Sequence, residues 1–183
     1  DYYEIAVVEY EEKLHTELDP TRLRGYVQID TAVIPDTATR IALTNPDASP
    51  ILLPDGSQAY GVDKPHYLGP AIVATGALPG QAGKPVRIKF YNLLPTGSGG
   101  DLSIPMDPTV MGAGMGPTMD TNGKPINYTQ NRATVHLHGN NTVWISDGTP
   151  HQWITPANEN TPYPKGVSVV PVPDMWFDAS GNT

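Results

Sequence analysis

The sequence predicts an all-β fold, a Greek-key β-sandwich, on three observations. Residues 3–10 are rich in β-branched and aromatic side chains, and residues 84–91 alternate apolar with polar, the period of a half-buried strand. The 20 prolines and 18 glycines break the chain at short intervals, as turns between strands do. No long amphipathic helical pattern occurs, so the strands must bury their apolar faces against a second sheet.

With 183 residues and 38% hydrophobic content, the chain suits one domain over residues 1–183, with enough length to bury a core. A net charge of −8 without any basic cluster argues against nucleic acid or an anionic membrane as partner. There is no cysteine, so disulfides cannot report the compartment and no site of the His-Cys blue-copper type can be completed. No stretch nears the ~20 apolar residues of a membrane span. The first residues lack a basic region followed by an apolar run, which reads as a mature chain or one never exported.

Taken in order, Tyr3 to Tyr10 is the opening strand, within a segment 1–26 whose remainder is read as an N-terminal strap on the resemblance given below. Residues 26–29 and 39–44 are two further short strands. From Asn45 to Pro70 the chain is broken by Pro46, Pro50, Pro54-Asp55-Gly56, Pro65 and Pro70, which is loop chemistry with one hairpin. Lys84 to Leu94 alternates well and is a strand with Val86, Ile88 and Phe90 on its inward face and Arg87, Lys89 and Tyr91 outward. Residues 95–125 form a second loop insertion rich in Gly and Pro. It carries Met106, Met111, Met115 and Met119, whose thioethers suit Cu(I) but, with glycines between them, read first as gap-filling side chains. Val167 to Val172 is a late strand, and Asp174 to Phe177 begins an edge or turn. Asn127-Tyr-Thr129 and Asn140-Asn-Thr142 match the glycosylation pattern and read as chance matches.

The candidate site is Ala133-Thr-Val-His136-Leu-His138-Gly, followed by Ser146-Asp147-Gly148. Val135 and Leu137 alternate with the histidines, so a strand would turn both rings to one face with Cα atoms roughly 6.6 Å apart. Two such imidazoles could share one metal ion or serve two; copper, zinc, iron and nickel all accept imidazole. Ser-Asp-Gly is also ordinary turn chemistry. His15 and His66 read as structural or surface residues, and His151 as a neighbour of the site at most.

This string resembles the first copper-binding segment of the multicopper oxidases, closest to the bacterial spore-coat laccase branch. Leu14-His15 through Gly25-Tyr26, Gly69-Pro70-Ala71-Ile72, and Pro85-Val86 through Asn92-Leu93-Leu94 resemble that branch's first domain in the same order, as does Thr149 to Pro156. The resemblance implies a cupredoxin-like fold, here an incomplete first domain of a multidomain oxidase. It implies that His136 ligates a type 2 copper, that His138 ligates one of the type 3 pair, and that Asp147 moves protons during oxygen reduction. The implied activity takes single electrons from phenols, aromatic amines or metal ions and reduces O2 to water. The type 1 copper, the second His-x-His and the closing strands would come from a second polypeptide, parted by nicking near residues 178–183. A secreted or cell-envelope location ranks ahead of the cytoplasm or spore coat.

Two other classes compete. A non-catalytic cupredoxin-like module for copper binding or storage would keep the histidine pair without turnover. A zinc hydrolase ranks lower, because position 140 is Asn and the alternating helices of a barrel are missing.

Overall fold

The computed structural model describes residues 2–32, 40–74, 76–110, 112–139 and 147–167. They fall into two compact units, one ending at Leu93 and the other starting at Leu94. Among the described residues the regular structure is β apart from a 3-10 turn at Gly97–Gly100, and the topology is sandwich-like in general terms. Among the described residues no barrel closes and no cupredoxin Greek key is completed.

The first unit is organised around strand β1 (Tyr2–Glu12). It lies between an antiparallel β2 (Thr21–Gln28) and a parallel β5 (Arg87–Asn92), in the order β2-β1-β5. The sheet is therefore mixed. Every residue of β1 from Glu4 to Glu9 is buried, so both faces are covered, and Ile5-Ala-Val-Val8 runs apolar without alternation as a two-sided buried strand should. Ala6 and Val8 join Val27, Ile29, Leu43, Ile51, Ala59 and Leu93 in the core, with Tyr91 packed against it. Each fully buried aliphatic side chain contributes about 1.5–3 kcal/mol.

The expected inward face of the 84–94 strand is corrected here. Val86 precedes β5 and is 39% exposed, while Ile88 and Phe90 are half-buried beside β1. Tyr91 and Leu93 supply the core face instead. Tyr91 pairs in register with Ala6, and the Lys89 ammonium sits 4.6 Å above its ring, so an aromatic counted as polar lies on the buried side.

Between β3 (Ile41–Ala42) and β4 (Tyr60–Gly61) the loop chemistry resolves into two tight hairpins built on Pro46-Asp47-Ala48-Ser49 and Pro54-Asp55-Gly56-Ser57. Asp47 Oδ1 accepts from the Ser49 amide at 2.9 Å, and Asp55 Oδ1 from the Ser57 amide at 2.9 Å. Ala48 (φ 66°) occupies the left-handed place that Gly56 (φ 85°) takes in the second hairpin. A Cβ is strained there, so Ala48→Gly is expected to gain about 0.5–1 kcal/mol despite the freer unfolded chain, read as a higher urea midpoint.

The second unit has a hairpin of β6 (Met115–Met119) and β7 (Pro125–Asn127) over an aromatic core of Tyr128, Trp153 and Tyr163. Met115 and Met119 are about half exposed on β6, so they do not fill gaps as expected; Met111 lies outside the described residues. The Glu159 carboxylate accepts from the Gly97 amide at 3.0 Å and from Asn131 Nδ2 at 2.5 Å, tying the 3-10 turn to this unit. The late strand at 167–172, beyond Val167, and the segment 174–177 also lie outside the described residues.

Four turn aspartates give the chain a defined acid response. Hydrogen bonds from Ser49, Ser57 and Thr109 hold Asp47, Asp55 and Asp107 below the ordinary carboxylate range, and the Lys124 and Asn122 amides do the same for Asp120. Their folded forms bind protons less readily than the unfolded chain. The stability they contribute is present above the unfolded value, about pH 3.9, and is lost as pH falls through the lower folded values. A urea midpoint that declines below about pH 4, and declines less in Asp47→Asn/Asp55→Asn, is the expected result. A midpoint unchanged down that range would contradict it.

Candidate functional site

The His-x-His segment is pinned at its start and irregular thereafter. Ala133 and Ile154 exchange backbone hydrogen bonds of 2.9 and 2.8 Å, but residues 134–137 form no ladder, so the expected strand ends at that bridge. Beneath it, Trp153 Nε1 donates to the Tyr163 carbonyl at 2.8 Å and its ring meets Tyr128 at 4.8 Å. Arg132 donates to the Thr129 and Ala113 carbonyls at 2.7 and 2.8 Å and lies 5.2 Å from the Trp153 ring centre. Burial pulls its guanidinium below its ordinary value, offset in part by Tyr128.

His136 and His138 do come near one another, with ring centres 6.0 Å apart and planes inclined by 40°. Both are exposed. His136 Nδ1 is 2.9 Å from Asp147 Oδ1 and 2.9 Å from the Asp147 carbonyl. Two acceptors at one ring nitrogen assign the proton to Nδ1, which leaves Nε2 at the opposite edge of a half-exposed ring. Gly148 (φ 70°) lies against the His136 Cβ, an approach that a side chain would block. His136 is thus oriented by Asp147, as an imidazole in a hydrogen-bonding role would be. Ser146 and residues 140–145 lie outside the described residues.

The other histidines stand apart from this pair in role. His15 Nδ1 accepts from the Glu17 amide at 3.2 Å. His66 Nδ1 accepts from the Leu68 amide at 3.2 Å, and its ring tilts against Tyr67 at 4.4 Å. His151 is exposed. Among the described residues, no group of three or more His, Cys, Asp or Glu side chains is placed to hold a metal ion.

No protein-family model matches the chain, and no curated protein or solved structure matches it. With no match and no metal-holding group among the described residues, the resemblance to the multicopper oxidases is overturned. The correction covers copper as cofactor in its type 2, type 3 and type 1 forms, the trinuclear cluster, laccase-like oxidation with O2 reduction, and the copper-storage alternative. Two imidazoles without a third ligand placed to share a metal ion with them among the described residues do not make a copper cluster.

Sequence reasoning missed two features of the first unit. One is an open groove of about 1100 Å³ lined by residues including Tyr10, Glu12, Tyr26, Asn45, Asp63 and His66. Burial, then the Glu12 carboxylate, pushes the Tyr10 hydroxyl upward. The second is the strip from Pro65 to Val86, which contains none of the chain's 19 acidic residues and one basic residue, Lys84. That compositional gap was the available signal.

Proposed function

We propose that the chain is a docking module that engages a second polypeptide through the strip from Pro65 to Val86. The observation that carries this is an exposed apolar run, with no acidic residue and one lysine, in an acidic protein. Leu68 is 74% exposed, Val73 92% and Leu78 56%, with Tyr67, Ile72 and Val86 also open to solvent. Single exposed apolar side chains are ordinary; a run of them with no acidic residue inside it has the composition of an interface centre. The described residues between Gly69 and Val86 form no strand or helix, and segments of this length are either functional or linkers, of which the exposed apolar side chains favour the first. Pro65, His66, Pro70 and Ala71 also line the groove, so the strip and the concavity are continuous.

The charge argues for the kind of partner. At −8 the chain repels a second copy and anionic surfaces, which favours a neutral or basic polypeptide. The Greek-key sandwich belongs to this proposal: the β2-β1-β5 sheet would supply one layer and the 41–61 meander the beginning of the other.

The test is Leu68→Ser/Val73→Ser/Leu78→Ser. Folding stability is expected to change by no more than about 0.5 kcal/mol per site, because the side chains are on the surface. Binding of a hydrophobic fluorescent dye is expected to fall. A loss of several kcal/mol would place these side chains in a core and refute the reading.

A further inference from the structure

Leu43, Ile51 and Ala59 follow one another at intervals of eight residues, set by the two hairpins. Their backbones close a cycle: Ile51 N–H donates to Leu43 O at 3.0 Å, Ala59 N–H to Ile51 O at 2.8 Å, and Leu43 N–H to Ala59 O at 3.0 Å. Their side chains are all buried in the core, which fixes the cycle from below. Each carbonyl retains a second lone pair. All three of these converge on Gln58 Nε2, at 2.8 Å from Leu43 O, 3.1 Å from Ile51 O and 2.8 Å from Ala59 O.

Three acceptors around one atom identify the NH2 end of the amide, because its oxygen would be repelled there. An amide nitrogen has two hydrogens for these three carbonyls. The ring therefore presents more acceptor capacity than its occupant can fill. Converging carbonyl dipoles are how proteins hold desolvated monovalent cations. The spacing exceeds the about 2.3–2.6 Å of calcium and the about 2.0–2.1 Å of magnesium, so the ring suits a larger, singly charged ion.

We propose that the carbonyl ring of Leu43, Ile51 and Ala59 is a monovalent-cation site, of the ammonium or potassium class, which Gln58 fills with its own amide. Removing the amide exposes it. The test is thermal unfolding of Gln58→Ala in potassium, ammonium, lithium and choline chlorides at one ionic strength. The midpoint is expected to rise in potassium and ammonium over lithium and choline, while the native chain shows no such discrimination. Equal midpoints in all four salts would overturn the proposal. If Gln58→Ala does not fold, Gln58→Lys and Gln58→Met decide. Lysine brings an ammonium on a stem one bond longer, and methionine brings a methyl at the reach of the amide. The lysine variant is expected to have a folding constant at least about tenfold above the methionine variant, the worth of one to two charge-assisted hydrogen bonds. Lysine no better than methionine, including failure of both to fold, overturns the site.

Discussion

Trp153→Ala is expected to cost about 3–5 kcal/mol of folding stability, the range for removing a buried large aromatic side chain. The residue is 6% exposed and closes the aromatic core with Tyr128 and Tyr163. Its loss also removes the Nε1 donor to the Tyr163 carbonyl and one of the two rings over the Arg132 guanidinium, which has no carboxylate partner among the described residues. Trp153→Phe keeps a ring and deletes the donor, so about 1–3 kcal/mol is expected from the lost volume and from a Tyr163 carbonyl left with only the long 3.5 Å bond from the Gly166 amide. Denaturant titration followed by near-ultraviolet circular dichroism reads both. An alanine variant within about 1 kcal/mol of the native chain would show that this cluster does not organise the second unit.

Arg22→Met/Arg24→Met is the second large effect, expected near 3 kcal/mol. Glu9 is 2% exposed, with Arg22 Nη2 on its Oε1 and Arg24 Nε 3.8 Å from its Oε2. Taking both cations away leaves a carboxylate buried without them, which costs about 3–5 kcal/mol for a fully buried pair. The lower end applies because the Arg22 and Arg24 side chains are 39% and 21% exposed and partly solvated. Adding Glu9→Met to the double variant is expected to recover most of the loss, since apolar replacement of a whole buried ionic cluster is often neutral. A triple variant no more stable than the double would show that the methionines fail through packing.

What the sequence revealed depended on locality. One hairpin was expected where two form, but the opening strand, the strand ending at Asn92 and the turn at Pro54-Asp55-Gly56 were legible, because β-branched runs, alternation and turn residues act over a few neighbouring positions. The parallel pairing of β1 with β5 was not, because it joins segments some eighty residues apart and leaves no local pattern. Nor was the burial of Tyr91, since alternation sorts side chains into two faces without saying which is covered. At the candidate site His136 and His138 lie close, but not through the strand from which the spacing derived their proximity, and the spacing did not reveal that Asp147 orients His136. The carbonyl ring around Gln58 was equally hidden: it is made of backbone atoms, and the sequence shows only its eight-residue interval.

The docking strip is tested most directly by a photoreactive side chain placed at Val73 in the protein produced in its native host, with Thr121, exposed in the turn of the β6–β7 hairpin, as the control position. The account predicts one adduct of defined mass from Val73, to a polypeptide other than this chain, absent from Thr121 and lost when Leu68 and Leu78 are changed to serine. No adduct at Val73, an adduct only to a second copy, or the same adducts from both positions would contradict it.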